Sequence, residues 1–372
     1  MIKQLLSLLA ATFAFTLAAE TVEVFSDVVF YDGYRAEIVD AQKRDGILRH
    51  SNSRYATRLE ASDLDRLGRD LTLRVEIGAL CDNYDRIGSV NLALVPRGAA
   101  DYCADSVQRI ELARFITPFM NKNVEPDRVV YEFPDSAISR ILRSADLRSR
   151  FDFWAELEVF GVPYAANEQV QGCAGRNDVF SGSLTLVSDS VAAGADSTIE
   201  LLPLIIRKSE LNGNNLNNYS PLATDTLGQT TRTLSFTLDH PVANARATVI
   251  ISNHGANAGG EEYIRRRHLV YFDDELVLDF IPGFGDCEPY RKYNTQPNGI
   301  YGRQPRTPED WAAWNNWCPG SAIPVRHIQL GNLPAGTHSL RVSVPDAQFA
   351  DAQGDFPLSV YLTMDPASDS KK

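Results

Sequence analysis

The chain has 372 residues, with 48 acidic against 36 basic side chains and a formal net charge of −12. That length suffices for two domains of ordinary size, and the charges are interspersed rather than blocked, which argues against nucleic acid or an anionic membrane surface as a partner. Its 24 glycines and 19 prolines are scattered, so no collagen-like or linker-like low complexity is present.

Residues 2–19 contain one lysine, then an apolar run ending in Leu17-Ala18-Ala19. This is the pattern of a secretory signal peptide over 1–19, and it predicts a secreted or periplasmic protein. No later segment is long and apolar enough to span a bilayer as a helix. Short apolar-alternating segments follow at 21–30, 71–77, 90–95, 110–117, 151–159 and 183–187. After a small, polar stretch at 188–197 they resume at 200–207, 231–238, 245–252, 268–272, 275–280, 326–330, 337–344 and 358–364. Bounded by Gly, Pro, Asn and Asp at this density, they predict an all-β sandwich architecture. Helix is expected only at 135–149 and 308–314. The polar stretch divides the chain into domains at 20–190 and 196–372. Residues 212–219 read as a solvated loop.

One run carries the strongest chemical signal. Leu71, Leu73, Val75 and Ile77 alternate with Thr72, Arg74 and Glu76, so this segment is a half-buried strand. At its mouth stands Cys81-Asp82-Asn83-Tyr84-Asp85-Arg86. Two carboxylates beside a guanidinium can support hydrolysis, but two acids three apart are also common on any surface.

Three further blocks give the run its context: Arg114-Phe115-Ile116-Thr117-Pro118, Glu262-Tyr263-Ile264-Arg265-Arg266-Arg267-His268, and Trp317-Cys318-Pro319-Gly320-Ser321-Ala322-Ile323-Pro324-Val325-Arg326. In this order, the four blocks resemble the bacterial peptide-N-glycosidase F family, which cleaves the amide between asparagine and the first N-acetylglucosamine of N-glycans. The resemblance implies two eight-stranded antiparallel jelly rolls packed side by side, with the active site between them. It also implies a monomer without a cofactor or metal, acting on N-glycoproteins or N-glycopeptides.

Carried over by position, the resemblance makes Asp85 the principal catalytic aspartate. Arg86 becomes a substrate-binding arginine, Asp82 an orienting carboxylate, and Tyr84 a sugar-stacking aromatic in place of a tryptophan. Glu156 falls on the second catalytic carboxylate, and Glu158, on the same strand face, replaces a family tryptophan and becomes a binding residue. Glu262 falls on the third carboxylate, with Glu261 an adjacent competitor and Arg266 fixing the spacing. His254 stands where the family has an aromatic wall. Amide hydrolysis needs an acid and a base, and carboxylates in one site divide those roles because like charges push their pKa values apart.

Five cysteines in an exported chain leave one thiol over. The resemblance pairs Cys287 with Cys318, around the loop that carries Trp311, Trp314 and Trp317; elimination then pairs Cys103 with Cys173 and leaves Cys81 as a buried free thiol. Residues 161–182 look like an insertion relative to the family, with no legible function. Three rival readings differ in what they need. A non-catalytic glycan-binding module needs no converging carboxylates. A copper monooxygenase needs clustered histidines, and the six here form no short-range pair. A glycosidase uses the same paired acids on a C–O bond.

Overall fold

The computed structural model describes residues 19–35, 45–189, 198–207, 215–217, 225–255, 261–296, 300–313, 316–349 and 354–367. Its strands are β1 (Glu20–Tyr31), β2 (Ile47–Ser51), β3 (Arg54–Arg58), β4 (Leu71–Ala79), β5 (Ile87–Pro96), β6 (Gln108–Ile116), β7 (Arg128–Pro134), β8 (Phe151–Val159), β9 (Asp178–Ser188), β10 (Glu200–Ile205), β11 (Thr231–Leu238), β12 (Val242–Ile251), β13 (His268–Phe272), β14 (Glu275–Phe280), β15 (Ala322–Ile323), β16 (Arg326–Leu333), β17 (Gly336–Ser343) and β18 (Leu358–Pro366).

Two sandwiches share one winding order. In the first, the sheet β1-β9-β4-β7 packs on β6-β5-β8-β3-β2; in the second, β10-β18-β12-β16 packs on β11-β17-β13-β14. With the β2-β3 hairpin counted as one position, each sandwich places its first, last, third and sixth strands in one sheet. The second, seventh, fourth and fifth form the other. This is the order of a jelly roll, which the alternation alone could not specify. The second sandwich has the expected eight strands. The first has nine, because β2 extends one edge beside β3, and at the other edge it borrows β15 from the C-terminal half, whose Ala322 and Ile323 pair with Phe115 and Arg114.

Each sandwich encloses its own core. Val75, Ile77, Leu92, Phe115, Leu157 and Phe180 lie in the first; Val249, Val270, Leu340, Val342, Phe356 and Leu358 lie in the second. Ile116, Ile250, Trp317 and Ile323 form a smaller apolar cluster that joins the halves. Every strand expected from alternation is present. The helix expected at 135–149 is two, Ser136–Arg143 and Ala145–Arg150, because Ser144 leaves the helical region (ψ 115°) and caps the second through its hydroxyl. At Pro308–Ala312 a capping box formed by Thr307 and Asp310, with proline in the first turn, starts a single short helix. The domain boundary and nearly all of the signal sequence lie outside the described residues.

The cysteine pairing differs from expectation. Cys287 and Cys318 are joined, but Cys81 is bonded to Cys173, and Cys103 is the exposed free thiol. The reason is that residues 161–182 fold back beneath the 81–86 run. Cys81 N–H donates to the Asp178 carbonyl at 3.0 Å and Leu80 N–H to that of Val179 at 3.1 Å, bringing the Cα atoms of Cys81 and Cys173 to 5.4 Å.

Candidate active site

The 81–86 run leaves β4 as a tight turn built around Asp82. Its buried carboxylate accepts from the Tyr84 amide (3.0 Å), the Val162 amide (2.7 Å) and Arg86 Nε (2.7 Å). Burial pushes the Asp82 carboxyl up, against the pull of Arg86 and these N–H donors. With its oxygens so engaged, Asp82 holds the turn and aims Arg86. The Arg86 amide donates to Thr117 Oγ1 at 2.8 Å, which ties the run to the Arg114–Pro118 block. Its guanidinium carbon lies 5.4 Å from the centre of the Tyr84 ring, and that ring is 40% exposed. Asp85, half-buried between them, has its carboxyl raised to about 7 by burial first, then by Glu262 and Asp82, with Arg86 opposing.

Glu262 arrives from the other half of the chain. Its Oε2 accepts from the Gly255 amide at 2.8 Å, and its carboxylate is bonded to the Tyr263 hydroxyl. Burial still raises it above the usual carboxylate range. Its neighbour Glu261 faces away, taking two 2.9 Å hydrogen bonds from Arg266 and one of 2.9 Å from the Gln348 amide. Arg266 is thus committed to Glu261.

His254 immediately precedes Gly255, whose amide Glu262 accepts from. Its ring lies 5.7 Å from that of Trp317, and its Nε2 is 2.7 Å from Ser252 Oγ. Its backbone exchanges two hydrogen bonds with Asp355, of 2.9 and 3.0 Å. Gly354 permits this approach: its φ is +94° and a Cβ there would stand 2.1 Å from the His254 carbonyl oxygen. Burial, then Arg114 and Arg207, hold the imidazole well below its ordinary value, so it is neutral.

A buried charge lattice fixes the two halves behind this site. In β6 a bulge opposite Val90 and Asn91 interrupts the alternation, so Glu111 and Arg114 face the same side although three residues apart. Arg114, fully buried, grips Glu111 through Nε (2.8 Å) and Nη2 (2.7 Å), while its Nη1 reaches Ser252 Oγ (2.8 Å) and the Pro357 carbonyl (2.9 Å) in the other half. Ser359 donates to Glu111, and Arg207 binds Glu158 Oε1 at 2.8 Å and Ser89 Oγ at 3.1 Å.

Glu156 and Glu158 share one face of β8 but have different surroundings. Across β5, Glu158 is opposite Ser89 and Glu156 opposite Asn91, which sets Glu156 about 7 Å farther along the strand from the Asp85 end. There it is fully buried, bonded to Arg109, the Tyr102 hydroxyl (2.7 Å) and Asn91 Nδ2 (3.2 Å). Burial would raise its carboxyl, but Arg109 overcomes this and holds it below the usual range. The structure therefore brings Asp85, Arg86 and Glu262 together and leaves Glu156 in an ion pair of its own. Trp311 and Trp317 are core residues, donating to Glu288 Oε1 (3.0 Å) and the Asn253 carbonyl (2.8 Å); Trp314 lies outside the described residues.

Two family models match the chain, one described as "Peptide-N-glycosidase F, N terminal" over residues 21–174 and one as "Peptide-N-glycosidase F, C terminal" over 222–363. The chain belongs to the peptide-N-glycosidase F family. Among solved structures it is similar to PNGF-II at 17% identity and TM-score 0.67, covering 94% of this chain and 66% of that one. It is also similar to PNGase F, described as a glycosylasparaginase from Flavobacterium meningosepticum, at 14% identity and TM-score 0.57, covering 94% and 97%. A third match, at 15% identity and TM-score 0.57, is a structure described as peptide-N(4)-(N-acetyl-β-D-glucosaminyl)asparagine amidase. A search of curated proteins gave no match.

Within this member of the peptide-N-glycosidase F family, several residues near Asp85 and Glu262 or in the buried lattice gave no sequence signal. Tyr301, raised by burial and then by Glu288, also feels the charge of Asp85. Asp355, raised to about 6 by burial against Arg207 and Arg114, feels Glu262. Tyr263 was legible only as the residue after Glu262. Arg109 and Glu111 alternate with Ile110 and Leu112 as they would on a solvent-facing strand, and the sequence does not show that a second sandwich covers that face.

Proposed function

We propose that this chain hydrolyses the amide between an asparagine side chain and the first N-acetylglucosamine of an N-glycan. The observation that carries the reading is the meeting of Asp85 and Glu262, one from each half, at a site where both carboxyls are raised and Arg86 is aimed by Asp82. Two like charges in a shared site retain one proton between them near neutral pH. Asp85, as carboxylate, takes a proton from water as its oxygen bonds to the amide carbon. Arg86 stabilises the developing oxyanion, the C–N bond breaks, and Glu262 gives its proton to the leaving nitrogen. The products are aspartate and a glycosylamine, which later loses ammonia.

In this reading Tyr84 offers a face to the sugar, His254 walls the site as a neutral ring, and Glu158 with Arg207 fixes the junction. Glu156 serves structure, in its buried ion pair with Arg109. The chain is a monomer of two domains, 20–190 and 196–372, exported with a signal peptide at 1–19; two disulfides suit an oxidising compartment. The test is incubation with a denatured N-glycoprotein, reading freed glycan together with Asn-to-Asp conversion at the glycosylation site. Release without that conversion points to glycosidic cleavage instead, and undiminished release by Asp85→Ala rules out this site.

A further inference from the structure

The inserted segment 161–182 has a place beside the site, and it exposes aromatic surface there. The helix Tyr164–Gln169 and its flanks are tied to the 81–86 run at three points: the Val162 amide donates to Asp82 Oδ2 (2.7 Å), Asn83 Nδ2 donates to Gln169 Oε1 (2.8 Å), and Cys173 is bonded to Cys81. Tyr164 is two residues from Val162, so its Cα lies within about 7 Å of the amide that holds Asp82. It is 52% exposed, and beside it Tyr34 is 59% exposed. Their rings are near-parallel, at 17° with centroids 6.3 Å apart, and Phe160 supports Tyr34 edge-on at 5.2 Å.

This pair is held in place rather than left over. Asp32, fully buried, accepts from the Tyr34 amide at 3.1 Å and is bonded to the Tyr164 hydroxyl. Arg35 lies 3.1 Å from its other oxygen. Gly33 donates to the Gly161 carbonyl at 2.8 Å, and a Cβ on it would stand 2.6 Å from the Phe160 ring. The buried Asp32 carboxylate is offset by these partners, and in pairing with them it fixes two exposed aromatics side by side.

We propose that Tyr34 and Tyr164 form a second sugar subsite, binding pyranose residues of the glycan beyond the chitobiose core. A pyranose has an apolar C–H face for the rings and a rim of hydroxyls for a polar border, which Arg35 supplies. The assignment rests on the glycan-amidase reading for its orientation, and its test separates the two. Wild type and Tyr34→Ala/Tyr164→Ala are compared on one peptide carrying either the chitobiose core alone or a full high-mannose glycan. The subsite predicts a fall of about tenfold in kcat/KM for the long glycan only, with Tyr34→Phe behaving as wild type. An equal fall on both substrates, no fall, or a loss that follows peptide length overturns it. Binding of free high-mannose oligosaccharide to Asp85→Asn, measured by calorimetry with and without the two alanines, decides the subsite even if wild type cleaves nothing, an outcome that would defeat the amidase reading alone. Unchanged affinity in the alanine variant also overturns the subsite.

Discussion

Arg266 grips Glu261 through two hydrogen bonds of 2.9 Å, and this pairing separates two adjacent glutamates by their surroundings. Glu261 is spent on structure, so Glu262 is the one that acts on Asp85. Glu262→Gln is expected to abolish most turnover with little loss of stability. Glu261→Gln should cost about 1–2 kcal/mol by weakening the hydrogen bonds to the partly exposed Arg266, lowering the melting temperature while kcat per folded molecule stays near wild type. Thermal melts alongside initial rates check both.

Asp85 should leave a mark on stability as well as on rate. Its folded carboxyl sits at about 7 against an ordinary 3.8, so the folded state holds the proton more tightly than the unfolded chain. The stability this gives is complete below about pH 4 and lost as the pH rises through about 7. Asp85→Asn should therefore melt above wild type in alkaline buffer, with the gap closing in acid. Melts across that range would show it, and a constant gap would contradict it.

The rate should follow a bell in pH, falling in acid when both carboxyls are protonated and above about 7 when the shared proton is gone. Removing the negative charge in Glu262→Gln should lower the pKa of Asp85, and this shift would be visible in its carboxyl carbon resonance. A pKa unmoved by Glu262→Gln would mean that the two groups do not interact.

Thiol chemistry gives a direct check on the cysteines. One thiol per native, unreduced chain should react with a thiol reagent, and peptide mapping should find it on Cys103. Removing the 81–173 link, which spans 92 residues, should cost about 4 kcal/mol. It should also cut activity, because Cys81 begins the turn that carries Asp85.

Much of the fold was legible because alternation reports burial directly. The expected segments at 151–159, 231–238, 268–272 and 275–280 coincide with β8, β11, β13 and β14. The hairpin strands β2 and β3 and the strand β7 went unseen: β2 and β3 are five residues each, and β2 lies at a sheet edge where no sustained apolar face is required. At the site, the motif singled out Asp85 and Glu262, and the structure sets them close enough for the charge of one to raise the other. The different surroundings of Glu156 and Glu158 were not legible, because both lie on one strand face and only the register against β5 and the arrival of Arg207 distinguish them. The partner of Cys81 was hidden for a similar reason, since an insertion's path is set by contacts distant in sequence.

The borrowed strand β15 bears on how the molecule comes to exist. Its two residues complete a sheet whose other strands are all N-terminal, and the charges of Glu111 and Arg114 behind it are buried only once Ser252, Pro357 and Ser359 arrive. An N-terminal half emerging first from synthesis would carry an open sheet edge and a wet, charged face where the finished protein is dry. The halves should therefore melt in one transition and resist expression as separate pieces, and catalytic competence should appear only when the last strand of the chain has docked.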